Sequence, residues 1–201
     1  MSIVVEHEKR RKEILEKALD VFVDEGFENA TFQKIADRCG ITRTTLYIYF
    51  KNKKEIFNYS IKLLLGKAEE DIRVIQSDAS LGSVEKITGV LLTIFRQLEI
   101  NRRLLSVILD YLLHLSKNNA DPEQLVRRRT LRLRHILASL VIEGVKKGSL
   151  KGVNIKTADD FFYSFIEAAI FRLVVLQRKT VGDLRKTVTF AVRQFAKGGE
   201  Q

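Results

Sequence analysis

The 201-residue chain has one proline, one cysteine, one methionine and no tryptophan. The lone cysteine, Cys39, excludes an intrachain disulfide framework and a thiol metal cluster. Its three histidines, His7, His114 and His135, show no metal-ligand spacing, so neither a metal nor a cofactor is expected. With one proline to interrupt them, helices can run long. No period-2 run bounded by hairpin signals is present, while apolar residues recur at helical spacing throughout. An all-α fold is the expectation.

A long apolar run is missing too. The most apolar segment, 161–176, still holds Glu167 and Arg172 and falls short of the roughly 20 apolar residues that a spanning helix needs. No membrane partner is expected. The opening Met1-Ser2-Ile3-Val4-Val5 is too short and too soon followed by charge to act as a signal peptide, which makes the cytoplasm the expected location. Nothing resembles a nucleophile–base constellation. Gly148-Ser149-Leu150-Lys151-Gly152 lacks both the Walker spacing and a preceding strand, so an enzyme is not expected.

Net charge is +10, yet the total says little about where a polyanion would bind. Residues 1–55 hold 11 Lys+Arg against 10 Asp+Glu, and residues 56–201 hold 24 against 15. Placement matters more than the count. Lys34, Arg43, Lys51, Lys53 and Lys54 gather in one stretch. The largest basic run, Arg127-Arg128-Arg129-Thr130-Leu131-Arg132-Leu133-Arg134, reads either as a solvated helix face or as an attractor for an anionic effector or an accessory stretch of DNA.

That stretch carries the most information in the chain. From Thr31 to Lys53 it reads as two short helices joined by a tight turn. Ala36 and Gly40, four apart, suit a close crossing and an unusual backbone conformation. Thr31 and Thr42 can cap the two helices. Ile35, Ile41, Leu46 and Phe50 form the inward side, leaving Thr42, Arg43, Thr44, Thr45, Tyr47, Ile48 and Tyr49 outward. This is the layout of a helix that enters double-stranded DNA. Upstream, Ile14, Leu15, Ala18, Leu19, Phe22 and Val23 recur at helical spacing, and Gly26 is the helix stop. Downstream, Asn52 and Glu55 are a capping pair that opens a long helix.

The segments Ala18-Leu19-Asp20-Val21-Phe22, Glu25-Gly26-Phe27, Ala30-Thr31-Phe32-Gln33-Lys34-Ile35-Ala36, Gly40-Ile41-Thr42 and Leu46-Tyr47-Ile48-Tyr49-Phe50-Lys51-Asn52-Lys53-Lys54-Glu55 resemble the DNA-binding domain of the TetR family of bacterial transcriptional regulators. The resemblance covers about residues 8–58, with Phe32 where many members have a small or polar residue. It implies a helix-turn-helix domain over 1–52 and a helical ligand-binding and dimerisation domain over 53–201. Chemistry then suggests roles. Arg43 can read guanine and Gln33 adenine, while Thr44 and Thr45 touch thymine methyls or phosphates. Thr31, Tyr47, Tyr49 and Lys53 are expected to anchor phosphates, with Thr42 beside them.

The rest of the chain divides at its caps into helices over about 53–76, 84–100, 102–116 and 121–147, then one after Thr157 with Asp160 as capping partner, and a last one from about Asp183. Apolar side chains cover nearly the whole circumference over 161–176, as in a helix buried on most sides. One face is expected to pack at home and the other on a second subunit, giving a homodimer through Phe162, Ile166, Ala169, Leu173, Val188 and Val192. A dimer suits a palindrome with two half-sites. The resemblance also implies a small-molecule effector within the middle helices. Phe95, Tyr111, His114 and Phe165 are the candidate lining, with Tyr111 and His114 as the polar pair. The expected activity is that of a repressor released from its operator by that molecule; the alternatives are a ligand-independent DNA-binding protein or an activator.

Overall fold

The structure is a computed structural model that describes residues 3–118 and 121–197. Among the described residues it is all-helical, with a single isolated antiparallel bridge between Leu150 and Ala196. The helices are α1 (Ile3–Asn29), α2 (Phe32–Cys39), α3 (Arg43–Tyr49), α4 (Lys53–Ser77), α5 (Ser83–Ile100), α6 (Arg102–Lys117), α7 (Pro122–Lys146), α8 (Ile155–Val174) and α9 (Gly182–Arg193). They form two compact units: Met1–Lys67 with Ser106–His114, and Ala68–Leu105 with Leu115–Gln201.

The first unit is built on α1, whose Ile14, Leu15, Ala18, Val21 and Phe22 are buried. Gly26 breaks the helix where the sequence puts a stop, with φ 77° and ψ 168°, a region that glycine enters without Cβ strain. The chain then resumes a last helical stretch to Asn29. Phe22 and Phe27 meet Phe57 of α4 at centroid distances of 4.8 and 5.0 Å. Buried Ser60 of α4 donates to the Leu15 carbonyl at 2.9 Å. At the start of α4, the Asn52 side chain accepts the Glu55 N–H at 2.8 Å, and Glu55 in turn accepts the Lys51 N–H at 2.7 Å.

The core of the first unit extends past the helix-turn-helix segment. Ile56, Phe57 and Ile61 of α4 are buried in the first unit's core, and Tyr111 of α6 meets Phe27 there at 4.0 Å with its ring tilted. Helix caps mark where a helix begins, and burial decides which core it belongs to.

The second unit packs α5, α7, α8 and α9 around Ile87, Leu91, Phe95, Leu137, Val141, Phe162, Ile166, Leu173, Val188 and Val192. Polar ties fix the helix ends. Glu99 of α5 accepts the Val181 N–H at 2.8 Å and pairs with Arg185 of α9 at 2.5 Å. Burial works against its ionisation, but Arg185 and the Val181 amide outweigh it and hold the carboxyl below the usual glutamate range. Gly144 of α7 is a close approach, because a Cβ there would lie 2.4 Å from Leu150 Cδ1 and 2.8 Å from Ser83 Cβ.

Two expectations change here. α8 begins at Ile155, and its cap is Asn154, whose side chain accepts the Thr157 N–H at 3.0 Å; Asp160 instead pairs with Arg134. At the C-terminal end of the basic run the guanidiniums are paired with carboxylates, although Arg132 stays largely exposed. Arg132 holds both oxygens of Glu69 at 2.7 and 2.8 Å, and Arg134 pairs with Asp159 and Asp160. The side chains of Arg128 and Arg129 lie outside the described residues, as do Asn119 and Ala120, where a helix break is expected. α7 starts with Pro122 in its first turn, as the sequence implies.

Candidate nucleic-acid interface

The reading head is assembled by local chemistry. Thr31 caps α2 by accepting the Lys34 N–H at 3.2 Å. At the other end Gly40 takes the left-handed conformation (φ 67°, ψ 37°). Its N–H reaches the Asp37 carbonyl and the Ile41 N–H the Ala36 carbonyl, both at 3.1 Å, which is the Schellman closure of a helix C-terminus. Ala36 is fully buried beneath this turn, so a larger side chain would push the helices apart. Thr42 caps α3 through the Thr45 N–H at 3.1 Å, and the two hydroxyls lie 2.8 Å apart. Leu46, fully buried, and Phe50 pin α3 to the unit.

This leaves Arg43, Thr44, Tyr47 and Ile48 exposed on α3, with Thr45 and Tyr49 half-buried. Arg43 donates to the Tyr47 hydroxyl at 3.2 Å. Tyr47 rests its ring on Phe32 of α2 at 4.6 Å. The three residues form a chain in which Phe32 supports Tyr47 and Tyr47 holds the guanidinium. A role for Phe32 is not visible in the sequence, where it stands out only as a departure from the family pattern. Gln33 donates its amide to Asp37 at 2.7 Å, and Tyr49 stacks on His7 of α1 at 4.6 Å.

Lys53 is placed differently from a phosphate anchor. Its ammonium donates to the Phe27 and Glu28 carbonyls at 2.7 and 2.9 Å and lies 4.6 Å from the Phe27 ring centre. Carbonyls at a helix C-terminus lack intrahelical donors and carry the negative end of the dipole, so they attract a lysine. Lys34 is likewise paired, with Glu25 at 2.7 Å. Lys51 and Lys54 are exposed and have no carboxylate partner among the described residues. Cys39 is buried, and burial raises its thiol, making it an inert helix-end residue.

Two further sets of residues land away from their expected surroundings. Tyr111 is buried between Phe27 and Phe57, and His114 stands 3.6 Å from Glu28. Both belong to the first unit, whereas Phe95 and Phe165 belong to the second. The four therefore do not line one cavity within the second unit. Phe95 is fully buried in that unit's core, and Phe165 is half-buried, edge-on to Phe161. An open groove of about 430 Å³ in this unit is lined by Leu92, Arg185, Lys186, Thr189, Phe190 and Arg193.

The second set is the expected dimer contact. Phe162, Ile166, Ala169, Leu173, Val188 and Val192 are each at most 3% exposed within the protomer itself, so they have no surface to offer a second chain. The exposed apolar residues of this region are instead Phe161, Phe171, Val175 and Leu176 of α8 and its end, and Phe190 of α9. A helix apolar on all sides does not say which face is the inner one.

Comparison with known proteins follows the same division. Residues 14–59, which include the whole reading head, match the family model described as bacterial regulatory proteins, tetR family. The fatty acid metabolism regulator protein of Bacillus subtilis (strain 168) is 26% identical over 179 residues, covering 86% of this chain and 88% of that protein. The HTH-type transcriptional repressor KstR2 of Mycolicibacterium smegmatis is 27% identical over 146 residues, covering 71% and 68%. Among solved structures, the regulator FadR from Bacillus subtilis in complex with stearoyl-CoA aligns with a TM-score of 0.71 at 23% identity over 94% of this chain and 98% of that one. At that identity the likeness speaks for the fold.

Proposed function

The chain belongs to the TetR family of bacterial transcriptional regulators, and we propose that it is a cytoplasmic, dimeric repressor that a small molecule releases from a palindromic operator. The observation that carries this reading is the outward face of α3. Arg43, held by Tyr47, can donate a bidentate pair to guanine O6 and N7. Thr44 and Thr45 lie beside it, and Gln33 is available for adenine once its amide leaves Asp37. Thr31, Thr42 and Tyr49, with Lys51 and Lys54, supply backbone contacts that position the helix without specifying sequence.

A second copy docks on the exposed face of α8 and α9 through Phe161, Phe171, Val175 and Phe190. Two reading helices related by a dyad then meet half-sites about 34–36 Å apart or a multiple of it. Any ligand that favours a wrongly spaced pair weakens both contacts together. A hundredfold loss of operator affinity requires about 2.7 kcal/mol of differential binding. α4, continuous from Lys53 to Ser77, is the element proposed to carry the shift.

The relatives make long-chain acyl-CoA thioesters the first effectors to test. Fluorescence anisotropy of the full-length protein against DNA from upstream of its own gene, in physiological salt with excess competitor, tests the reading. Saturable binding that stearoyl-CoA reverses and Arg43→Ala makes less selective is the expected result. A ligand-independent regulator is favoured by the full burial of Phe95; operator binding unmoved by any effector would establish it. Activation is separated from repression by transcription measured in the presence and absence of the protein.

A further inference from the structure

Ile48 is the most exposed of the exposed large apolar side chains among the described residues, at 69%. It sits on the seven-residue helix α3, where Leu46 already makes the buried contact. Nothing in the fold uses Ile48. Thr44 stands four residues before it, and residues four apart share one helix face, so the Thr44 methyl and the Ile48 side chain form an apolar ridge. Beside it runs the polar ridge of Arg43 and Tyr47, joined by their 3.2 Å hydrogen bond. Base edges in the major groove offer donors, acceptors and only one apolar group, the thymine C5-methyl.

We propose that Ile48, flanked by Thr44, reads a thymine methyl in each operator half-site, next to the guanine read by Arg43. This rests on the sequence-specific DNA binding proposed above. The two side chains start about 7.5 Å apart along the helix axis, and base pairs stack about 3.4 Å apart, so the thymine lies within about two base pairs of the guanine. Removing that methyl takes away an apolar contact and leaves every hydrogen-bonding group of the base in place.

The test uses duplexes enriched from a random-sequence pool by the full-length protein. Each thymine of the selected half-site is replaced in turn by deoxyuridine, and binding is measured by anisotropy. One position should weaken binding about fourfold in one half-site and about fifteenfold in both, the worth of one buried methyl group per half-site. Ile48→Ala should bind the thymine and deoxyuridine duplexes equally, while Arg43→Ala should keep the methyl sensitivity. Circular dichroism checks that both variants remain folded. An operator without methyl dependence, or methyl dependence that survives in Ile48→Ala, would overturn the assignment and leave sequence-specific binding standing. Equal losses by Ile48→Ala on thymine and deoxyuridine duplexes, in a parent that shows no preference, would place Ile48 on sugars instead. A pool in which no sequence is enriched would overturn sequence-specific binding, and this inference with it.

Discussion

Two pairs of helices carry the surfaces proposed to meet other molecules, and they are built in opposite ways. On α2 and α3 the outward polar groups hold one another: Arg43 to Tyr47, Thr42 to Thr45, Gln33 to Asp37. On α8 and α9 the outward groups are Phe171, Val175 and Phe190, each more than half exposed. A polar partner is recognised by exchanging hydrogen bonds with water, and each exchange nets little, so geometry must be set in advance. An apolar partner gains from dehydration wherever the side chains come to rest. The first surface therefore spends its side-chain contacts on orientation, and the second leaves its side chains open.

The sharpest way to break this comparison is on α8. Phe162→Ala removes a fully buried ring and should lower unfolding stability by about 3–5 kcal/mol. Phe171→Ala, nine residues on, should change protomer stability by no more than about 0.5 kcal/mol yet shift the protein from dimer to monomer in sedimentation. Reversed results would mean that the inner and outer faces are misassigned. On α3 the corresponding substitution is Arg43→Ala. Its melting temperature should be unchanged, while discrimination between operator and competitor DNA falls by about 1–3 kcal/mol.

The two regions also differ in their response to acid. The hydrogen bonds on α3, Arg43 to Tyr47 and Thr42 to Thr45, include no carboxylate. α9 is tied to α5 through Glu99, whose carboxyl is held below the usual range in the folded protein. The native state then binds fewer protons than the unfolded one near that value. Its stabilisation is complete above the unfolded glutamate pKa of about 4.3 and is lost as pH falls through the lower folded value. Glu99→Gln should cost about 1–2 kcal/mol at neutral pH, since Arg185 is partly exposed, and should flatten the acid limb of a urea-denaturation profile. An unchanged limb would assign the acid sensitivity to another carboxylate.

How much could be read in advance follows from how local the cause is. Thr31, Gly40, Thr42 and the Asn52–Glu55 pair are legible because a cap is chemistry within four residues. The break at Gly26 is legible for the same reason. The faces of α8 are not, because 158, 162, 166, 169 and 173 on one side and 161, 164, 168, 171 and 175 on the other both keep helical spacing with apolar or small residues. Neighbouring helices choose between them. Tyr111 is hidden differently: its partner Phe27 lies 84 positions earlier in the chain, and no periodicity in α6 reports it. Asn154 is overlooked as a cap because Thr157 and Asp160, three residues further on, offer an equally plausible pair.

Tyr47 is where the finest part of the comparison can be tested. The sequence suggests a phosphate anchor, whereas the structure gives its hydroxyl to Arg43 and its ring to Phe32. Tyr47→Phe keeps the ring on Phe32, so the melting temperature should not move. Loss of an anchor would weaken binding to operator and to competitor DNA alike, because every duplex has the same phosphates. Loss of an orienting contact leaves competitor binding intact and releases the guanidinium into several rotamers, so that operator affinity alone falls, by about 0.5–1.5 kcal/mol. The ratio of the two affinities therefore decides between the roles. In the orienting case, Tyr47→Phe should add almost nothing to Arg43→Ala, since a side chain that acts only by holding another has no effect once that other is gone.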